Sequence, residues 1–130
     1  MILLLDTNIV VELAKEREDI ISRIQELMEG LPSKLHISSP TYSETYYGCL
    51  NKGKQAREAI LQYLDSFELM NTSRESSIIF AQLRDHFQKT GKNIPPMDLL
   101  IASIVMANGA TLVSKDKHFK QIGGLDLILL

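Results

Sequence analysis

The sequence is short of most features that would assign a protein to a specialised class. Cys49 is its only cysteine, so no internal disulfide can form, and a reducing cytoplasm is the expected compartment. No stretch approaches the roughly 20 apolar residues of a membrane span. The opening apolar run, Ile2 to Leu5, is too short for a signal-peptide core, and no basic segment precedes it. There is no basic excess: 14 Lys and Arg face 16 Asp and Glu, for a net charge of -2. Global charge therefore gives no support for strong non-specific nucleic-acid binding. No Gly-x-Gly-x-x-Gly follows a strand, and Gly123-Gly124 is a lone turn pair, which argues against a dinucleotide site. His36 and His86 have no metal-ligand spacing to a partner, and no repeat, low-complexity tract or linker interrupts the chain.

What is present suits one globular domain over residues 1–130: 45% of residues are hydrophobic and 23% charged. Short apolar runs alternate with longer segments of helical period. Ile2 to Leu5 reads as a buried strand, with a helix from Asn8 to Ala14 directly after it. Ile20, Ile24, Leu27 and Met28 repeat at helical spacing, and Gly30 with Pro32 marks a stop. Leu35 to Ser38 predicts a second strand. Ser39-Pro40 then reads as an N-cap with proline at the first helical position, opening a helix that carries Tyr42, Glu44, Tyr46 and Tyr47.

Ala56, Ile60 and Leu64 mark a further helix, and Phe67 to Met70 a third strand. Thr72 with Glu75 has a capping-box pattern ahead of a helix that Gly91 closes. Pro95-Pro96 opens a helix that is apolar almost all round from Leu99 to Ala107 and should lie centrally. Thr111 to Val113 and Leu127 to Leu130 complete five strands. Strands separated by helices require crossover connections. The expected fold is therefore α/β, a three-layer α/β/α sandwich on a mainly parallel sheet of about five strands.

In such sheets, sites form beyond the carboxyl ends of the strands. Four acids fall on that rim: Asp6 after the first strand, Glu44 early in the helix after the second, Asp98 in the first turn of the apolar helix, and Asp116 after the fourth strand. Each alone has an ordinary reading, as a helix cap, a dipole-favoured acid, a turn residue or an exposed helical Glu. Together they form a carboxylate cluster. Such a cluster would repel itself unless a hard divalent cation such as Mg²⁺ or Mn²⁺ stabilised the ionised forms. Clustered carboxylates without a Cys or multi-His set suit phosphodiester hydrolysis better than zinc chemistry.

Four ordered blocks then resemble the PIN-domain family, in particular its small VapC-type ribonuclease toxins. They are LLLDTNIVVEL, SSPTYSETYYG, IPPMDLLIAS and ATLVSKDKHFKQIGGLDLI, and they span essentially the whole chain. The resemblance implies that Asp6, Glu44, Asp98 and Asp116 hold the metal, with Asn8 and Ser114 as polar support. Many relatives carry a further Asp where this chain has His118, which can be a second-shell group, a phosphate contact or a surface residue, the last two being favoured. The implied reaction is hydrolysis of RNA by a metal-activated water, leaving a 5′-phosphate. Lys115, Lys117 and Lys120 are the best grouped phosphate contacts, with Lys89, Lys92, Lys52, Lys54 and Arg57 elsewhere on the rim.

The resemblance further implies an antitoxin partner that covers the site, and a homodimer for which Tyr46, Ile60 and Leu61 are the available apolar residues. Two rivals stand beside this reading. One is a phosphatase of the haloacid-dehalogenase type, which normally carries a second Asp where this chain has Asn8. The other is a PIN-like binding module without catalysis.

Overall fold

The computed structural model describes residues 1–31 and 34–130. The stop expected at Pro32 lies outside the described residues. The elements in order are β1 (Leu3–Leu5), α1 (Thr7–Ala14), α2 (Glu18–Met28), β2 (His36–Ser38), α3 (Ser39–Tyr47), α4 (Lys54–Leu64), β3 (Glu68–Met70), α5 (Arg74–Thr90), α6 (Pro96–Ala107), β4 (Thr111–Ser114) and β5 (Leu127–Leu129). A short 3-10 turn over Lys117–Gln121, which the sequence pattern did not reveal, follows β4.

The five strands form one sheet in the order β3-β2-β1-β4-β5, and all four pairings are parallel. β1 is central because its three leucines are buried on both faces. Leu4 packs with α5 and α6, whereas Leu3 and Leu5 pack with α1, α2 and the apolar sides of α3 and α4. Leu112 and Val113 of β4 divide between the same two clusters. This alternation is what makes the fold three-layered. α6 is buried along most of its length, as its composition requires. Among the described residues no helix is long and apolar enough to cross a membrane.

Three helix starts differ from expectation by one residue. α1 begins at Thr7, not Asn8, with Asp6 as its N-cap. α3 is capped by Ser38, whose hydroxyl accepts from the Thr41 amide at 3.2 Å; Ser39 is the first helical residue and Pro40 the second. α5 is capped by Ser73. The Ser73 hydroxyl accepts from the Ser76 amide at 3.0 Å and the Ser76 hydroxyl accepts from the Ser73 amide at 2.7 Å. Two hydroxyls thus close the box that Thr72 and Glu75 were expected to form. α5 ends where Gly91 turns left-handed at φ 72°, a conformation that costs a side-chain-bearing residue more than glycine.

The Tyr46 and Ile60 side chains expected on an outer surface pack against the core instead, because α3 and α4 turn their apolar sides inward. Tyr47 and Leu50 are the exposed large apolar side chains of that region, at 77% and 47%.

Candidate active site

The strand order reverses direction between β1 and β4, and the site grows from the carboxyl ends of those two strands. Asp6 follows β1, and its backbone N–H continues the ladder to the Val113 carbonyl at 2.9 Å. Its side chain is then fixed from three directions. Oδ1 accepts from the Thr7 amide at 2.9 Å, and Oδ2 accepts from the Ser114 hydroxyl at 2.7 Å and from Asn8 Nδ2 at 3.1 Å. Asp6 is only 4% exposed. Burial raises its pKa above the ordinary carboxylate value. The Ser114 and Thr7 hydrogen bonds oppose that rise, and the charges of Asp116 and Glu44 add to it.

Ser114, at the end of β4, links this carboxylate to the next. Its Oγ accepts from the Asp116 amide at 2.9 Å. Asp116 caps the 3-10 turn: Oδ1 accepts from the His118 amide at 2.9 Å and lies 2.8 Å from His118 Nδ1. The structure thus places the His118 ring against Asp116 while leaving it 61% exposed, so it can orient that carboxylate. Asn8 closes the group by accepting from the Lys115 amide at 3.2 Å.

Glu44 projects from α3 on the other side of Asp6 in sequence space, and a chain of hydroxyls holds it. Ser38 Oγ donates to Thr41 Oγ1 at 3.2 Å, Thr41 and Thr7 Oγ1 are 2.9 Å apart, and Thr7 Oγ1 donates to Glu44 Oε1 at 3.0 Å. A hydroxyl has one hydrogen, and that of Thr7 is committed to Glu44. Thr41 must therefore donate to Thr7, so every link runs toward the carboxylate. Ser38 and Thr41 are fully buried. Sequence reasoning passed over Ser38, Thr7 and Thr41. The available signal was the threonine inside Asp-Thr-Asn, flanked by the two residues it selected.

Asp98 comes from the first turn of α6, where the helix N-terminus favours a negative charge. Its pKa is nevertheless pushed up to about 6, first by burial and then by Asp6, Asp116 and Glu44, with His118 acting in the opposite direction. Desolvation and three like charges outweigh the helix end. All four carboxylates thus lie in one shared field, brought from four separate segments. Among the described residues no three His, Cys, Asp or Glu side chains are already converged on a common point within metal-ligating reach. The donor set is oxygen only, and its mutual repulsion is of the kind a hard divalent cation relieves. On that chemistry the residues fit a hard divalent cation.

The lysines differ in their freedom. Lys115 Nζ is 4.0 Å from Glu12 and Lys89 Nζ is 2.9 Å from Asp85. Among the described residues Lys117, Lys120, Lys15, Lys52 and Lys92 have no carboxylate within 4.0 Å.

A carboxylate rim at the switch point of a parallel α/β sandwich is a donor set suited to a hard divalent cation and, through it, to a phosphate. Residues 3–125 match the family described as the PIN domain, and the chain belongs to that family. It is 34% identical over 130 residues to Ribonuclease VapC2 of Rickettsia felis, covering 98% of this chain and 96% of that protein. It is 28% identical over 129 residues to Ribonuclease VapC1 of Haemophilus influenzae, covering 96% and 95%. Among solved structures it resembles VapBC2 from Rickettsia felis bound to a DNA fragment from their promoter. There the TM-score is 0.87 at 31% identity, with 100% of this chain and 99% of that chain covered. VapBC-1 from nontypeable Haemophilus influenzae gives a TM-score of 0.87 at 28% identity, with 99% and 98% covered. Membership of the PIN family sets aside the phosphatase reading.

Proposed function

We propose that this chain is a metal-dependent endoribonuclease and the toxin half of a toxin–antitoxin pair. The observation that carries the proposal is the full-length similarity to proteins named ribonucleases, together with four carboxylates gathered at the strand ends, whose charges raise the pKa of Asp98. Such mutual destabilisation is a cost to folding that a bound cation would offset. The full-length similarity to proteins named ribonucleases supports RNA as the substrate.

Asp6, Asp98, Asp116 and Glu44 would hold Mg²⁺ or Mn²⁺. When bound, such an ion acidifies a coordinated water and offsets charge on the phosphate. Asp6 is the rigid member, fixed by Thr7, Ser114 and Asn8. Glu44 is exposed and held at one oxygen, which leaves Oε2 free to turn toward an ion or a water. Asp98, whose pKa burial and its three acidic neighbours raise to about 6, is the member a bound cation would relieve most. Lys117 and Lys120 stand on the exposed 3-10 turn beside Asp116 and suit phosphates of the bound strand.

The similarity to toxin–antitoxin complexes supports an antitoxin as the protein partner. Tyr47 and Leu50 suit a contact between two copies of the chain. The test is incubation of the purified protein with a panel of RNAs in Mg²⁺, in Mn²⁺ and in EDTA, beside Asp98→Asn. Cleavage confined to wild type with metal is the expected result. Metal-independent cleavage, or none with any RNA, would end the proposal and leave a non-catalytic PIN-like module.

A further inference from the structure

The end of α5, the loop after it and the first turn of α6 enclose a depression of about 270 Å³. Its floor is buried and apolar, made by Phe87, Ile94 and Leu99. Arg84, Gln88, Lys92 and Asn93 line it with exposed side chains. No acidic residue among the described residues lines it, although the chain carries a net -2. Asp85, the sequence neighbour of Arg84, is held by Lys89 at 2.9 Å. Arg84 and Lys92 have no carboxylate within 4.0 Å among the described residues.

Local structure fixes the depression before any ligand arrives. Gly91 turns left-handed, and the Lys92 amide donates back to the Phe87 carbonyl at 3.1 Å. That turn brings Lys92 and Asn93 beside the last turn of α5, where Arg84 and Gln88 share one face. Buried Ile94 anchors the loop, and Pro95 with Pro96 stiffens its exit. The Arg84 guanidinium lies 5.8 Å from the Phe80 ring centroid, a cation–π contact that restrains it. The backbone N–H of Asp98 is already bonded to the Pro95 carbonyl at 3.0 Å, so an anion here depends on side chains more than on the helix end.

We infer that this depression holds a backbone phosphate of the substrate RNA, next to the scissile one, with Arg84 as a two-pronged donor and Lys92 as the second cation. The inference rests on the ribonuclease reading and gives its substrate strand an anchor on the α5 side of the carboxylates. Position favours a nucleic-acid strand over an acidic protein segment. Pro96 and Leu99 line the depression, and Asp98 stands between them in the first turn of α6. One turn of helix rises about 5.4 Å, of the order of one nucleotide step. The paired N–H groups of a guanidinium match two phosphate oxygens, and lysine adds a point charge. No aromatic face is open for a base to stack on, since Phe87 is buried, so the contact is to the backbone and independent of sequence.

The test uses the Asp98→Asn protein in Mg²⁺ with labelled, mixed-sequence single-stranded RNA. Arg84→Ala with Lys92→Ala, both at exposed positions, should leave the melting temperature near that of the parent and weaken RNA binding about tenfold. The log–log salt slope should fall by about 1.4, roughly 0.7 for each lost contact. Arg84→Lys should keep the slope but weaken binding, because it keeps the charge and loses the paired donors. Lys89→Ala, outside the depression, should change neither. Replacing single phosphates by neutral methylphosphonates should find one position that weakens the parent and leaves the double variant unaffected. Unchanged affinity and slope in the double variant overturn the anchor, while wild-type cleavage keeps the ribonuclease reading. A double variant that loses inorganic phosphate but keeps RNA affinity overturns it in favour of a free-anion site. Retained RNA affinity with a change from dimer to monomer in sedimentation overturns it in favour of a contact between copies. Absence of both RNA cleavage and RNA binding by wild type overturns the two readings together.

Discussion

Thr7 Oγ1 donates to Glu44 Oε1 at 3.0 Å, tying the first helix after β1 to a carboxylate 37 positions further along the chain. The hydroxyl is also the last link from buried Ser38 and Thr41. Thr7→Val keeps the shape and removes the donor. It should weaken Mn²⁺ binding by about tenfold, the usual scale for a group that orients a metal ligand. It should cost only about 1 kcal/mol of stability. Thr7→Ser should restore metal affinity. A metal titration with unchanged affinity in Thr7→Val would show that Glu44 needs no such support.

Ser114 is the shared partner of Asp6 and Asp116. Its hydrogen bond opposes the rise in the Asp6 pKa that burial causes. Ser114→Ala therefore moves that pKa further up, and the acid limb of the cleavage profile should shift to higher pH. Loss of a buried hydrogen bond to a charged group should also cost about 2 kcal/mol in denaturant titrations. A pH profile that coincides with wild type would rule out the coupling.

Asp98 gives a pH dependence of opposite sign to that of an ion-paired acid. In the unfolded chain its carboxyl ionises near 3.8, and in the folded protein near 6. Between those values the folded state binds more protons, so stability without metal should fall as pH rises and then level off above about 6. Asp98→Asn removes the penalty. At pH 7.5 it should stabilise the metal-free protein by about 1 kcal/mol once solvent screening at this half-buried position is counted, while abolishing cleavage. Equal melting temperatures for the two proteins at pH 7.5 would contradict the electrostatic account of the site.

Addition of Mg²⁺ or Mn²⁺ should raise the melting temperature of wild type, because an ion that binds only the folded state stabilises it by about 2.7 kcal/mol at one hundred times its dissociation constant. The effect should vanish with EDTA and shrink strongly in Asp98→Asn. A thermal shift of the same size in that variant would place the ion elsewhere.

The layers of the fold were legible because burial has a period. Leu3, Leu4 and Leu5 sit in an unbroken apolar run, which specifies a strand covered on both faces, and α6 is apolar almost all round, which specifies a central helix. The two misplaced helix caps show the limit. Ser38, Ser39, Thr72 and Ser73 are all competent caps, and only the closed hydrogen bonds of Ser38 and Ser73 choose among them. The 3-10 turn was equally hidden, since four polar side chains around one buried Phe119 carry no helical period.

The sequence alone determined that four acids sit at strand ends and helix starts, because the position of a residue relative to its own element follows from local patterning. It did not determine which hydroxyl reaches which carboxylate. Thr7 and Glu44, or Ser114 and Asp6, meet only after parallel crossovers bring segments 37 and 108 residues apart side by side. Short-range geometry writes itself into neighbouring residues, whereas contacts between remote segments exist only once the core has set the distances between them.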